Sequence, residues 1–421
     1  MDVRIKADYI KVIFKSNSKI ILNFLYLFAS SGVNLLIPIL LTPFLIRTVG
    51  IELFGIIGIS QLVCNNFLVI ADYGFNLSAV RDLSIYHSQK KTEEIEQLFN
   101  EVLNTKFLIL ALSFIAFYYI TKLLYSDHHD LFLLSYLLVI GQSSVPSWFY
   151  QGIQEMRYVT LMNFTSKVVA VSIIFYFVNK DNYIWVNYIL GFSGLIVGVL
   201  AHIHIVRKFK FKIKILPFNV IQKVIKSNFK IFLANLSISS YLNLNGIILS
   251  FYANGLTIGY YAAAEKIMFV VRSLLTIFSN ATYPHVCSIV DDKKKFRYFI
   301  KSLYVPFAIF FSLLCLIVFL LSKEISSFLG LLNSETHILI KMFSITPLIV
   351  LLNIPFNQFI LASNKQSVYI KILVAASLLS ITSNFLLAYF FKSYGTICSI
   401  AITELFITIS FYLYFRRSQK Q

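Results

Sequence analysis

Long, uninterrupted apolar runs are the feature of this sequence that most restricts its fold. A helix needs about 20 apolar residues to cross a bilayer core of roughly 30 Å, and stretches such as FAIFFSLLCLIVFLLS (307–322) meet that need. Strands of a membrane barrel are about 9–11 residues long with alternating polarity, which these runs lack. We therefore predict an all-α polytopic membrane protein. Twelve runs are candidate spans: 20–46, 54–80, 104–124, 131–150, 157–178, 184–206, 229–252, 258–284, 303–322, 337–362, 368–390 and 395–415.

The charge of the chain is concentrated between the spans. The sequence is 58% hydrophobic and 13% charged, with a net charge of +18, whereas soluble domains carry about 25% charged residues. The basic residues collect before the first span, in 207–230, in 291–301 and at the end of the chain. This placement follows the positive-inside rule, so both termini are predicted to be cytoplasmic and nucleic acid is not predicted as a partner. The polar, basic start predicts no cleavable signal peptide.

Weak internal similarity divides the spans into two halves. FGIIGIS (54–60) is echoed by IGYYAAA (258–264), and PSWFYQGIQEMRY (146–158) by PFNQFILASNKQSVY (355–369), at offsets of about 204 and 210 residues. Parallel repeats of six helices about an axis along the membrane normal are a known transporter plan. The predicted organisation is an N-terminal lobe (1–206), a basic cytoplasmic linker (207–228) and a C-terminal lobe (229–421). The segment 91–106 has helical apolar spacing and is predicted to lie as an amphipathic helix along the inner membrane face.

Polar side chains recur on one face of two equivalent spans. A helix advances roughly 100° per residue, so a polar stripe on span two comprises Gln61, Asn65, Asp72 and Asn76. Span eight carries Glu265, Lys266 and Arg272, and Glu404 lies near the middle of span twelve. Polar stripes in hydrocarbon are costly unless they face partners or water.

Two interpretations of these stripes stay open. In one, Glu265 pairs with Arg272 or Lys266 to pin the bundle, and amide and hydroxyl side chains join helices. In the other, Lys266 and Arg272 attract an anionic head group into a cavity between the lobes, while Asp72, Glu265 or Glu404 carries a coupling ion. Glu404 has no cation on its own helix, which favours a protonatable role.

Charged residues also lie at the predicted ends of spans. Arg81 and Asp82 lie where span two meets the cytoplasm, as an interfacial charge pair or as members of the site. Arg47 lies on the outer side, against the positive-inside bias, and is a candidate for phosphate contact or gating.

Signatures of enzymes and metal sites are weak. His202 and His204 lack the four-residue spacing of a helical metal pair, the SDHHD loop (126–130) fits a solvated loop better than a metal site, and no Gly-rich phosphate loop is present. Cys64, Cys287, Cys315 and Cys398 share no short spacing and predict neither disulfides nor a metal site.

Three motifs resemble those of Wzx-type O-antigen flippases: VGIELFGIIGISQ (49–61), ADYGFNLSAVRDLS (71–84) and PSWFYQGIQEMRYVT (146–160). These flippases form the polysaccharide-transporter branch of the multidrug/oligosaccharidyl-lipid/polysaccharide (MOP) exporter superfamily. The resemblance implies two six-helix lobes around a cationic cavity. It also implies transfer of an undecaprenyl-diphosphate-linked oligosaccharide across the bacterial inner membrane, coupled to an ion gradient. Few cations lie in the spans of the first half, so the cationic lining is expected to depend on Arg272, Lys266, Arg47, Arg81 and Arg157.

We therefore predict a non-enzymatic, multi-pass flippase of the inner membrane that works by alternating access. No cofactor or metal is predicted, with H⁺ or Na⁺ as the coupling ion. The predicted partners are the lipid-linked oligosaccharide, membrane lipids, and a polysaccharide polymerase and chain-length regulator. The alternatives are an exporter of peptidoglycan precursor or drugs from the same superfamily, and a membrane-embedded polymerase or glycosyltransferase, which usually needs a larger extramembrane loop.

Overall fold

The computed structural model describes residues 18–290, 292–332, 334–363 and 365–418, with the backbone alone for 18–31, 33, 34 and 284. Across these ranges the regular structure is helical, and a 3₁₀ turn (Ser126–His128) and a π turn (Ile300–Tyr304) supplement the α-helices. In chain order the helices are α1 Ser18–Val49, α2 Ile51–Asp72, α3 Phe75–Ser88, α4 Thr92–Leu124, α5 His129–Ser144, α6 Ser147–Gly152, α7 Met156–Phe177, α8 Trp185–Phe209, α9 Phe218–Ser250, α10 Gly255–Ile289, α11 Lys293–Phe299, α12 Val305–Leu320, α13 Ser322–Phe328, α14 Thr336–Phe343, α15 Thr346–Ala362 and α16 Gln366–Ser418.

The all-α polytopic prediction is confirmed. Within the described ranges, nine helical stretches are long and apolar enough to cross a membrane. One of them, α16, contains a break at Lys392, where φ is 49° and ψ is −126°, so it comprises two helices. The count of twelve spans and the cytoplasmic location of both termini stay predictions. The basic N-terminal segment before Ser18 and the last three residues lie outside the described residues.

The amphipathic segment 91–106 does not lie along the membrane face as a separate helix. Thr92–Leu124 is one continuous helix, because the sequence contains no Pro or Gly between the segment and span three. Its apolar residues Ile95, Phe99 and Val102 are at most 3% exposed. The ring of Phe99 lies 5.8 Å from that of Phe149 and 5.6 Å from that of Phe211, centroid to centroid. The apolar face is therefore buried in protein instead of lipid.

The predicted second span is interrupted at its inner end. Tyr73 and Gly74 have φ values of 44° and 83°, and α3 begins directly after them. A Cβ on Gly74 would lie 2.7 Å from Cγ2 of Ile231 in α9, and the ring of Tyr73 stacks on Phe232 at 4.5 Å. The left-handed turn, which glycine adopts without strain, thus lets α9 approach closely at this point.

An extended segment joins α8 to α9 and is held against α4. The side-chain amide of Asn100 donates to the Lys212 carbonyl (3.0 Å) and accepts from the Lys214 amide (2.8 Å). Asn104, one turn further along α4, bonds in the same way to Lys214 (2.9 Å) and Leu216 (3.3 Å). These amides satisfy backbone groups that would otherwise lack a strand partner. We call residues 211–217 the strap.

Helices α2 and α10 of the two predicted lobes pack in parallel at their predicted periplasmic ends. A Cβ on Gly55 would lie 2.7 Å from the Gly259 amide nitrogen, and one on Gly259 would lie 2.2 Å from the Ile51 carbonyl oxygen. A Cβ on Gly58 would lie 3.3 Å from that of Ala262. Small residues of this kind let membrane helices approach closely.

Candidate functional site

The members of the predicted polar stripe on α2 have different environments, and Gln61 contacts the other predicted lobe through Lys266. Asn65 and Asn76 are exposed, Gln61 and Asp72 are half-buried, and Asn76 lies on α3 because α2 ends at Asp72. The Asn76 side-chain amide still donates to Asp72 Oδ2 at 3.0 Å across the turn. The predicted stripe thus extends over two helices, α2 and α3, and the hydrogen bond between Asn76 and Asp72 joins its two parts.

Asp72 forms an ion pair with a residue that the sequence analysis overlooked. Lys106 Nζ lies 2.7 Å from Asp72 Oδ1 and donates to the Ser143 carbonyl at 3.2 Å. The two side chains are 10% and 22% exposed, Lys106 being the more buried. Lys106 therefore adds a cation to the first half, where few were expected in the spans.

A hydrogen-bond network crosses from one predicted lobe to the other beside the small residues of α2 and α10. Lys266 Nζ donates to Gln61 Oε1 at 2.9 Å, and Gln61 Nε2 donates to Asn187 Oδ1 at 2.8 Å. Asn187 in turn donates to the hydroxyls of Ser60 and Ser135 at 2.7 and 2.9 Å. Lys266 is thus joined through Gln61 to three helices of the N-terminal lobe. We call the Gly55, Gly259, Gln61 and Lys266 region the outer contact.

Arg272 pairs with Glu404 and not with Glu265. The guanidinium donates to Glu404 Oε1, and the two side chains are 29% and 3% exposed. Glu265 instead accepts a long hydrogen bond, 3.4 Å, from the Tyr261 hydroxyl. Glu404, which has no cation on its own helix, receives one from α10. A guanidinium has five N–H donors, so Arg272 keeps donors for an anion on its exposed side.

These contacts lie at successive depths. From Gln61 to Asp72 the rise along α2 is about 16 Å, and from Lys266 to Arg272 along α10 it is about 9 Å. Because α2 and α10 are parallel, the Lys266–Gln61 bond is outermost, Arg272–Glu404 is deeper, and Lys106–Asp72 is nearest the predicted cytoplasmic face. Charged groups therefore lie at three depths: one contact joins the two predicted lobes, one lies within the C-terminal lobe and one within the N-terminal lobe.

The predicted mouth residues do not join this series. Arg47 donates to the Phe328 carbonyl of α13 at 2.8 Å, which adds a second link between the lobes at the outer side. Arg81 and Asp82 pair with each other at 2.8 Å with side chains 67% and 34% exposed, so they fit the interfacial pair. Arg157 is exposed and lies over the Tyr158 ring at 4.8 Å.

Metal-binding geometry is not found in the described ranges. No group of three or more His, Cys, Asp or Glu residues among them is placed to hold an ion. His202 bonds to the Gly198 carbonyl at 2.9 Å. In the SDHHD segment, Ser126–His128 form the 3₁₀ turn, and His129 and Asp130 begin α5.

The sequence profile of one family, described as polysaccharide biosynthesis protein, matches residues 20–290. This chain belongs to that family. A "Putative O-antigen transporter" of Escherichia coli (strain K12) is 29% identical over 94% of this chain and 97% of its own length. A protein of the same name from Shigella dysenteriae is 26% identical over 92% of this chain and 98% of its own length.

Solved transporters share the fold of this family member. An inward-facing multidrug resistance MATE family transporter of the MOP superfamily superposes with a TM-score of 0.74 at 10% identity, covering 92% of this chain and 94% of that structure. The lipid II flippase MurJ in an inward closed conformation gives 0.70 at 16% identity, covering 94% and 87%. An outward-facing MATE structure gives 0.54 at 9% identity over 89% and 94%.

These comparisons confirm the predicted resemblance to Wzx-type MOP transporters. The chain is a multi-pass protein of the bacterial inner membrane, and it is a transporter, not an enzyme. The sequence analysis overlooked Lys106 and Asn187, which bond to the predicted site residues Asp72 and Gln61. Both lie within predicted apolar spans, and a search for polar residues in every span would have found them.

Proposed function

We propose that this transporter moves undecaprenyl-diphosphate-linked O-antigen oligosaccharide units from the cytoplasmic to the periplasmic leaflet by alternating access. The observation that supports this best is Arg272, a cation in a membrane-spanning helix of a MOP-type fold whose side chain is 29% exposed beside Glu404. A guanidinium presents a planar fork that matches phosphate oxygens. The named O-antigen transporters among its relatives agree with a lipid-linked polysaccharide as substrate.

In this proposal Glu404 and the diphosphate compete for Arg272. Glu404 is almost fully buried, so an ionised carboxylate there needs its cation. When the diphosphate engages Arg272, a proton or Na⁺ stabilises the carboxylate that is left. Asp72 with Lys106 forms a second carboxylate–cation pair nearer the cytoplasm, and Glu265 is a third carboxylate on the path. This exchange would couple substrate movement to an H⁺ or Na⁺ gradient.

The outer contact is the periplasmic closure in this cycle. The small residues and the Lys266–Gln61 bond join α2 to α10, and Arg47 joins α1 to α13. Rocking of the two lobes would separate these contacts and release the sugar outside. A polymerase and a chain-length regulator in the same membrane would then receive the unit.

The test compares surface polysaccharide in cells that carry Arg272→Gln or Arg272→Lys. We expect Gln to abolish polymer display and Lys to retain part of it, since Lys keeps the charge and loses the fork. Lys301→Gln, an exposed cation in the π turn, is the matched control. Normal polymer display with Arg272→Gln at normal protein level would contradict the assignment of this residue.

A deletion strain tests the transport step itself. Single repeat units should accumulate on the cytoplasmic face when the gene is lost. Accumulation on the periplasmic face would place the block after translocation and favour a polymerase. Loss of viability under conditions in which O-antigen is dispensable would favour an essential precursor exporter of the same superfamily.

A further inference from the structure

A groove in the N-terminal lobe is lined by helices of that lobe and by the strap, and it shares Lys106 and Ser143 with the surroundings of the Asp72 ion pair. It encloses about 510 Å³ between α4, α5 and α8 at their predicted cytoplasmic ends, within the range of about 300–1,000 Å³ that ligand pockets occupy. Trp148 of α6 and Ile213 of the strap also line it. Its opening is rimmed by exposed apolar side chains, including Phe107 (75% exposed), Val199 (49%) and Ile213 (63%).

The chemistry of the lining is apolar with a basic, polar end. Lys106, Ser143, His202 and Arg207 line the same cavity, and the lining includes no carboxylate. Lys106 is committed to Asp72 and to the Ser143 carbonyl. Arg207 is exposed and makes no ion pair with any residue that the structure describes. The groove thus combines a long apolar part, which we call the trough, with the unpaired cation Arg207 at the membrane surface.

A second observation points to a ligand with a polar group. The Ser143 hydroxyl oxygen is buried in a residue that is 4% exposed, and it lacks a hydrogen-bond partner among the described residues. Buried polar atoms in native proteins are nearly always paired with protein or solvent. Ser143 is therefore an unpaired polar group in the wall of the groove.

The length of the groove matches one leaflet. Lining residues on α4 run from Phe99 to Leu110, a rise of about 16 Å. Half of the roughly 30 Å hydrocarbon core is about 15 Å. A phospholipid acyl chain reaches to the middle of the bilayer, whereas an undecaprenyl chain is far longer than this groove.

We propose that this groove binds an anionic phospholipid of the cytoplasmic leaflet, with one acyl chain in the trough and its phosphate on Arg207. Basic residues at a cytoplasmic membrane surface attract anionic lipids. Lys212 in the strap and Lys210 just before it are both exposed, and they strengthen this field. The bound lipid would hold the strap and α8 against α4.

Tryptophan fluorescence can report the lipid directly. The chain has two tryptophans, so Trp185→Phe leaves Trp148 in the groove as the reporter. The purified full chain with this change is reconstituted into vesicles containing phosphatidylglycerol or phosphatidylcholine with brominated acyl chains, which quench tryptophan on contact. We expect half-maximal quenching at about a fivefold lower fraction of phosphatidylglycerol than of phosphatidylcholine, given about one favourable cation contact.

Two variants and one control locate the site. Arg207→Gln should remove the preference for phosphatidylglycerol, and Val199→Phe should fill the trough and reduce the maximal quenching with both lipids. Lys223→Gln removes an exposed cation outside the groove lining and should change neither. Fluorescence thermal melts confirm that each variant is folded.

The outcomes separate the occupants. Equal quenching by both lipids, unchanged in Arg207→Gln, would overturn the proposal. The groove would then be a surface that contacts membrane lipids without selectivity. The proposal would also be overturned if undecaprenyl phosphate, at a small molar fraction relative to brominated phosphatidylglycerol, relieved the quenching. That result would assign the groove to the isoprenoid. Because the readout is binding to a protein that need not transport, this result does not depend on the proposed function.

Discussion

At the scale of single residues, the carboxylates Asp72 and Glu404 of the candidate site are paired within the protein. Asp72 and Glu404 each hold a cation from another helix, and Gln61 accepts from Lys266. Helical periodicity predicted which residues of α2 share a polar face. It did not predict the pairs, because Lys266–Gln61 and Arg272–Glu404 join residues 205 and 132 positions apart. Lys106 was overlooked because it lies where the amphipathic segment overlaps the third apolar run.

The Asp72–Lys106 pair is expected to show energetic coupling. Asp72→Ala and Lys106→Ala should each lower the free energy of unfolding by about 1–3 kcal/mol, because each leaves a charge partly buried without its partner. The double variant should lose less than the sum of the two. Denaturation of the purified protein measures all four members of the cycle. Strict additivity would mean that the ion pair contributes nothing in the folded protein.

At the scale of elements, small residues decide where helices of the two lobes can meet. The repeat analysis singled out the segments around Gly55 and Gly259 by their similarity to each other. It did not predict that the two segments pack together, because similar sequences show only that two segments hold equivalent positions in the two halves. The continuous α4 was similarly missed: amphipathic spacing identifies a buried face but does not say whether protein or lipid covers it.

Gly259→Val should keep α2 and α10 separated at the outer contact. The added Cβ would lie 2.2 Å from the Ile51 carbonyl oxygen, so α2 and α10 must separate. Labelling of Ile51→Cys by a membrane-impermeant maleimide, in a chain with its four cysteines replaced by alanine, should increase several-fold while polymer display falls.

Gly255→Ala is the matched control for this change. Its added Cβ would lie 3.4 Å from the Glu52 Cβ, an ordinary contact, so labelling and polymer display should stay near normal. Equal labelling of the Gly259→Val and Gly255→Ala chains would show that close packing at Gly259 does not keep the outer side shut.

The strap is expected to depend on Asn100. This side chain is 1% exposed and bonds to two backbone groups of the strap, so Asn100→Ala leaves buried polar groups unpaired and should cost about 1–3 kcal/mol. Proteolysis of the purified protein near Lys212 should become faster. Gln97→Ala, an exposed change on the same helix, should leave the digestion rate unchanged. If Asn100→Ala is digested as slowly as the unchanged protein, Asn100 does not hold the strap against α4.

At the scale of the whole molecule, transport by rocking requires the outer contact to form and separate in each cycle. The inner contact of α9 with α2 near Tyr73 and Phe232 lies at the other end of the interface. Composition and charge placement were sufficient to predict a polytopic membrane protein, and the motifs were sufficient to predict its family. The sequence could not predict which conformation of the transport cycle the structure shows, because the same sequence adopts every conformation of the cycle.

A reversible crosslink tests this motion. The Cβ atoms of a Gly58→Cys, Ala262→Cys pair would lie about 3.3 Å apart, near the usual disulfide spacing of about 3.5–4.5 Å. In the cysteine-free chain, oxidation should stop transport and a reductant should restore it. Each single cysteine variant is the control and should be insensitive to oxidant. Full transport by the crosslinked chain would rule out separation of α2 and α10 as a step.

The two outer links share a feature that bears on where this protein can work. Lys266 bonds to an amide oxygen and Arg47 to a backbone carbonyl, whereas both deeper contacts are ion pairs. Attraction between opposite exposed charges weakens as salt rises, but a cation on a neutral oxygen has little such attraction to lose. The contacts of the outer closure should therefore depend little on the ionic strength outside the cell, and the two deeper ion pairs are shielded from dissolved salt because they are largely buried.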